Sequence, residues 1–276
     1  MSAIARHDEM VRAYHEQQAQ LVAAPGKDRW TGALAARFRD NPRRPLDPVL
    51  EAIVADLHAD DVLIDVGGGA GRLALPLALR CREVIVVDPS EGMQQQFEAV
   101  RAEAQIENAR YVRADWLAAP GLEGDVVLAS HVTFFVPDIA GFIGRMAAAA
   151  RRRVTLVVSS QPPPNSTRDL FELVHGVPQA PVPGYAELLP ALWEMGFLPE
   201  VRILPTFAGG TQSVLRTRQE ATEWLATNPV SVGAPPERLR ALVESNFDKL
   251  FVPQDGGWAR ATTANSRAVL ITWETS

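Results

Sequence analysis

Five short apolar runs, VLIDV (62–66), EVIVVD (83–88), YVRAD (111–115), DVVLAS (125–130) and RVTLVVSS (153–160), constrain this chain more than any other feature. They alternate with helically spaced stretches at 71–80, 90–105 and 138–150. Continuous branched apolar residues suit strands buried on both faces. Strand–helix alternation implies parallel βαβ units whose helices cover both sides of a sheet.

Outside this block the rhythm loosens. Residues 5–39 read as helical with a break at APGK, and the proline-rich NPRRPLDP separates them from an amphipathic helix at VLEAIVADL (49–57). Beyond SSQPPPN we expect helices at 167–175 and 184–196, a strand at PEVRIL, and helices at 217–226 and 236–250. A last strand, SRAVLITWE, closes the chain and is expected to pair with GWARAT. The expected organisation is one domain over 1–276. It has a helical cap segment at 1–48, an α/β core at 49–206, a helical insertion at 207–257 and closing strands at 258–276 that complete the sheet.

Composition narrows the partners. A net charge of −6 argues against a broad nucleic-acid surface, and the basic runs NPRRP and RRRVTL are short enough to be solvated element ends. Cys81 is the only cysteine, so neither an intrachain disulfide nor a cysteine metal site is expected. The charged start MSAIARHDEM and the lack of a long uncharged run lead us to expect no membrane association and a cytoplasmic location.

The chemistry centres on LIDVGGGAGRLALPL (63–77), a glycine-rich turn directly after the first strand. A phosphate-gripping P-loop needs a lysine followed by Ser or Thr, which this turn lacks. A dinucleotide turn needs G-x-G-x-x-G, but counting from Gly67 and Gly69 the third position is Arg72. The spacing is instead Gly67-x-Gly69-x-Gly71, with Asp65 two residues before it. An anion there repels a pyrophosphate and suits a ligand carrying an ammonium group.

DVGGGAG resembles the first motif of the class I S-adenosylmethionine-dependent methyltransferases, and the similarity runs on for about a hundred residues. The resemblance implies a Rossmann-like, mostly parallel seven-stranded sheet with helices on both faces and, here, an added helical cap. It also implies S-adenosylmethionine as cofactor, with Asp65, Gly67, Gly69 and Gly71 beneath its methionine end. In VIVVDPSEGM, Asp88 falls where the family binds the ribose hydroxyls, with Pro89 beside it, and Met93 where an apolar side chain packs on adenine. Asp115 and Trp116 match the position where a carboxylate and the next backbone amide read the adenine edge. DVVLASHVTFFVPD resembles the fourth-strand motif, which sets Ser130 and His131 beside the methionine portion.

Methyl transfer is an in-line displacement that requires alignment, exclusion of water and, for a protonated nucleophile, removal of a proton. His131 is the candidate general base, and it equally reads as a packing residue on the methionine tail. His7, His15, His58, His131 and His175 form no pair of ligand spacing, so no metal is expected. His175 reads as a substrate contact or a helix end. Tyr14 and Trp30 read as a cover over the site or as core.

ASHV departs from the Asn- or Asp-Pro-Pro-aromatic motif of amino-group methyltransferases acting on nucleobases or glutamine, and QPPPN follows the wrong strand for it. The expected acceptor is therefore a small molecule, methylated on oxygen or nitrogen. Trp224, Phe247, Phe251 and Trp258 either line an apolar acceptor pocket or pack a helical extension. A non-catalytic cofactor-binding or scaffold protein remains the alternative. A nicotinamide-dependent oxidoreductase is disfavoured by Arg72 and Asp65.

Overall fold

A computed structural model of the chain describes residues 1–21, 30, 32–119, 121–205, 215–226, 234–262 and 266–275. Helices α1 (Ala3–Leu21), α2 (Gly32–Ala36) and α3 (Pro48–Val54) precede β1 (Val62–Val66). The alternating half then runs α4 (Ala74–Ala78), β2 (Glu83–Val87), α5 (Glu91–Glu103), β3 (Ala109–Val112), β4 (Gly124–Ser130), α6 (Ile139–Ala149) and β5 (Ala150–Ser159). After it come α7 (Arg168–His175), α8 (Tyr185–Glu194), β6 (Glu200–Ile203), α9 (Arg218–Ala226), α10 (Pro236–Ser245) and α11 (Phe247–Leu250). The strands β7 (Phe251–Gln254), β8 (Gly257–Arg260) and β9 (Ala268–Glu274) follow. The APGK break lies outside the described residues.

Seven strands form one sheet in the order β3-β2-β1-β4-β5-β9-β6. Neighbours from β3 to β5 pair in parallel, and β9 runs antiparallel between β5 and β6. The order reverses between β1 and β4, and ligands of open α/β sheets bind in the crevice outside the strand carboxyl ends at that point. The glycine turn leaves β1 at this edge, and His131 leaves β4.

Every residue of β1 is buried, the carboxylate of Asp65 included. On one face of the sheet Ile64, Val127 and Leu156 pack with Phe142 and Met146 of α6 and Leu188 and Leu192 of α8. On the other, Leu63, Val84 and Leu128 pack with Leu50 of α3, Leu75 of α4 and Phe97 of α5. Each such side chain removed from water contributes roughly 1.5–3 kcal/mol, so the two layers fix the strand ends beneath the site. Local signals start the helices where they are needed. Asp47 caps α3 by accepting from Val49 N and Leu50 N, both at 3.0 Å, with Pro48 in the first turn. Ser90 caps α5 by accepting from Met93 N at 3.1 Å.

Helix α1 is fastened across the molecule. Ser2 caps α1 by accepting from Ala5 N at 3.1 Å, and Glu194 at the end of α8 adds to the cap by accepting from Ala3 N at 2.6 Å and Ile4 N at 3.4 Å. Asp8 accepts from Ile139 N at 3.1 Å, binding α1 to the start of α6.

The closing strands differ from expectation. GWARAT does not pair with the last strand: β8 pairs antiparallel with β7 in a separate two-stranded sheet, and only β9 of the 258–276 segment joins the main sheet. The reason is the Asp255–Gly256 turn, with φ of 47° and 75°, which closes a local hairpin before β9 is reached. Phe247, Phe251 and Leu250 are buried with Leu170 of α7 and Leu239 of α10, while Trp224 and Trp258 pack at the edge of the same cluster. The rings of Phe247 and Phe251 stack with centroids 4.6 Å apart. These aromatics form the extension's own core. No helix among the described residues is long and apolar enough to cross a membrane.

Candidate active site

The turn after β1 takes a backbone that only glycine adopts without strain: φ is 69° at Gly67, 54° at Gly69 and 81° at Gly71. Space is short as well. A Cβ on Gly67 would stand 2.5 Å from a methyl of Val132, and one on Gly68 would stand 2.6 Å from Asp65 Oδ2. At Gly71 it would meet Phe97 at 2.7 Å and Leu75 at 2.9 Å. Gly69 faces a roomier side, with Met93 Sδ as its nearest neighbour at 3.5 Å. Gly68, which the motif spacing passed over, packs directly on Asp65.

Asp88 at the end of β2 braces this turn. Its Oδ2 accepts from Gly69 N at 3.1 Å and its Oδ1 from Ser90 N at 2.9 Å. Met93 is buried against Ala70 and Ala35, with Trp30 packed on the same group, so the segment before β1 closes over the turn.

Asp65 lies beneath, 1% exposed, and its Oδ1 has no hydrogen-bond partner. Burial, reinforced by the charge of Asp88 and opposed by Arg72, raises its pKa to about 7. Arg72, which sequence reasoning treated only as a missing glycine, places its charge among Asp47, Arg44, Asp40 and Asp65. Burial lowers its pKa, and Asp47 is the main opposing charge. A basic residue immediately after the glycines was the signal available for it.

His131 follows β4 with φ at 57°, a left-handed backbone that costs a histidine energy, while its N–H donates to Val157 O at 2.8 Å. Its Nδ1 is buried without a partner. Burial, and then the charge of Arg72, lower its pKa to about 4. Asp65, Arg72 and His131 are thus brought together at the crevice. Ser130 is half-buried at the end of β4, and Pro89 is exposed beside Asp88.

Asp115 and Trp116 part ways. Asp115 is exposed and accepts from Leu117 N at 2.8 Å. The Trp116 indole is buried in the core, donates to Phe142 O at 3.3 Å and lies under the Arg145 guanidinium. What remains for an adenine contact at Trp116 is its backbone amide. Tyr14 is buried on Phe134 and Val182, and His175 packs on Phe171 with ring centroids 4.4 Å apart.

Among the described residues, His58, Asp60 and Asp61 could together reach one cation. They precede β1 at the opposite end of the strand from the glycine turn, and Asp61 already pairs with Arg152.

Residues 64–158, which contain β1 through β5 and the whole glycine turn, match the family model described as a methyltransferase domain. This stretch of the chain is a methyltransferase domain. No curated protein matches this methyltransferase in sequence. Its fold is shared with the YcgJ protein of Bacillus subtilis, at 15% identity and a TM-score of 0.55 over 82% of this chain and 97% of that one. A Bacillus halodurans C-125 protein is similar at 18% identity and a TM-score of 0.53, covering 82% and 97%. A geranyl diphosphate methyltransferase solved with S-adenosylmethionine is similar at 18% identity and a TM-score of 0.51, covering 92% and 93%.

The residues at the crevice fit S-adenosylmethionine, the cofactor that the glycine-turn motif implies. Asp65 carries a buried carboxylate oxygen with no partner, as an ammonium-bearing ligand requires. The open side of Gly69 admits a ligand where a larger side chain would intrude. When bound, the cofactor supplies an activated methyl group. The chain supplies position.

Proposed function

We propose that this methyltransferase transfers the methyl group to an oxygen or nitrogen atom of a small-molecule acceptor, with the cofactor held by Asp65, the turn Gly67–Gly71, Asp88, Pro89, Met93, Asp115, the Trp116 amide and Ser130. The observation that carries the choice of atom is His131. It offers a buried ring nitrogen with no partner at the carboxyl end of β4. Its pKa of about 4 keeps it neutral at physiological pH. A neutral imidazole can hold the N–H or O–H of a nucleophile in a hydrogen bond. A carbon nucleophile has no such hydrogen to hold.

The same environment sets the extent of proton transfer. An imidazolium at this position would be desolvated and would face Arg72, so His131 orients the nucleophile rather than storing its proton. The proton leaves to water as the bond to methyl forms. The test is transfer of labelled methyl from S-adenosylmethionine to a library of phenols, amines and carboxylic acids. Labelled O- or N-methyl product is the expected result. Label found only on carbon would refute the choice of atom, and tight cofactor binding with no transfer to any acceptor would favour a binding protein.

A further inference from the structure

Helix α1 buries His7, Val11, Tyr14 and Gln18 along one face. Tyr14 seats on Phe134, just beyond His131, and on Val182. One turn further on, Gln18 is only 3% exposed, and neither its Oε1 nor its Nε2 has a hydrogen-bond partner. Gln179, 1% exposed, has the same two atoms unpartnered.

The backbone beside Gln179 is held firmly. Gln17 donates to Pro178 O at 2.9 Å and accepts from Ala180 N at 2.7 Å, gripping the chain on both sides of residue 179. Asn165, from the QPPPN segment after β5, accepts from Val182 N at 3.0 Å and donates to Val182 O at 2.9 Å. Two carboxamides are therefore fully used as struts, and two buried ones are wholly unused. An unsatisfied buried polar group costs on the order of 1–3 kcal/mol, so a fold that keeps two without use is paying for nothing.

We propose that Gln18 and Gln179 are the recognition groups for the methyl acceptor. We infer that this acceptor carries an uncharged donor–acceptor edge, of amide, lactam or hydroxy-carbonyl type, on an apolar ring. The inference rests on the methyl-transfer reading above. A carboxamide offers one donor face and one acceptor face, the complement of such an edge. The apolar cluster beside them, Tyr14, Phe134 and Val182 with Ala180 at its edge, suits a ring.

The test uses the full chain labelled with ¹⁵N, with and without S-adenosylhomocysteine. The side-chain amide signals of Gln18 and Gln179 are assigned from Gln18→Met and Gln179→Met. The uncharged probes are 2-quinolone and 4-hydroxybenzamide, and the charged controls are 4-hydroxybenzoate and tyramine. Expected are saturable shifts of both amides with the uncharged probes and at least roughly tenfold weaker response to the charged ones, a difference of ~1.4 kcal/mol.

No shift with either uncharged probe, or equal response to the charged pair, overturns the proposal. The two Met variants should melt no lower than the parent, because an unused polar group has been replaced by an apolar one of similar size. A lower melting temperature would give the carboxamides a structural role and overturn it too. Transfer of labelled methyl to the acceptor library tests the methyl-transfer reading separately, since amide shifts without cofactor report on these two carboxamides alone.

Discussion

Asp88 accepts the Gly69 N–H at 3.1 Å, so the residue that ends β2 sets the shape of the turn that follows β1. The carboxylate has a structural task before any ligand arrives. Asp88→Ala should therefore weaken S-adenosylmethionine binding twice over, through lost contact and a loosened turn. A loss of roughly 10- to 100-fold is expected, in keeping with charge-assisted hydrogen bonds worth about 1.5–3 kcal/mol. Asp88→Asn, which keeps one acceptor oxygen, should fall between parent and Ala. Isothermal calorimetry on the three proteins checks the order.

Cofactor binding should depend on pH through Asp65. With its pKa at about 7, the free protein carries a partly protonated Asp65 near neutrality, and an ammonium-bearing ligand favours the ionised form. Affinity should fall as pH drops through 7, and binding should release a proton. Calorimetric enthalpies measured in buffers of different ionisation heat will differ if so. In Asp65→Asn that difference should vanish and affinity should be low at every pH.

Stability should show the opposite sign for Asp65 and His131. The folded pKa of Asp65 is raised from 3.8 to about 7, so between these values the native state binds the extra proton and stability falls as pH rises. The folded pKa of His131 is lowered from 6.5 to about 4, so between these values the unfolded state binds the extra proton and stability rises with pH. The two slopes oppose each other from about pH 4 to 6.5. Asp65→Asn should unmask the His131 slope, giving a chain that gains stability over that range and exceeds the parent above pH 7. A melting series across pH decides; a variant whose profile overlays the parent would contradict the assignment.

His131→Gln should leave cofactor affinity within a few-fold of the parent and slow transfer by about tenfold, short of the roughly 10²–10⁴-fold of a group that takes the proton itself. Because its pKa is about 4, the parent rate should show no limb at the ordinary histidine value of 6.5 that is lost in the variant. A limb at that value, abolished by the substitution, would restore a general-base role. His131→Asn tolerates the left-handed backbone better and should melt higher than His131→Gln.

The Cβ distances rank the glycines. Gly71→Ala would press into Phe97 and Leu75, both fully packed, at a positive φ, and should cost about 1–3 kcal/mol or more of stability. Gly69→Ala meets only Met93 at ordinary contact distance and should cost about 1 kcal/mol, from backbone strain. Urea unfolding of the pair tests the ranking.

The parallel half of the sheet was legible because β1, β2, β4 and β5 are dominated by branched apolar residues, and burial on both faces writes that pattern directly into sequence. That Asp88 and Met93 would meet the glycine turn was legible as well, since turn and strand end are local and their spacing is fixed by one βαβ step. The hairpin of β7 and β8 was misread although Asp255–Gly256 is a strong local turn signal; the apolar run of β9 drew the pairing toward it. Arg72 was passed over because a glycine pattern is scored by what it lacks. Gln18 and Gln179 could not have been found, for nothing in a glutamine's neighbours along the chain says that its amide will be buried unused.

The position of β9 makes the chain's last strand a keystone rather than an edge. Strand β6 meets the main sheet only through β9. During synthesis the glycine-turn half can settle first, while β6 waits, unpaired, for a segment made later. A protease nick or a fusion that unseats β9 would therefore release two strands at once and bare the flank of β5. Such a chain could retain much of its nucleoside cradle while exposing a sticky seam to its neighbours.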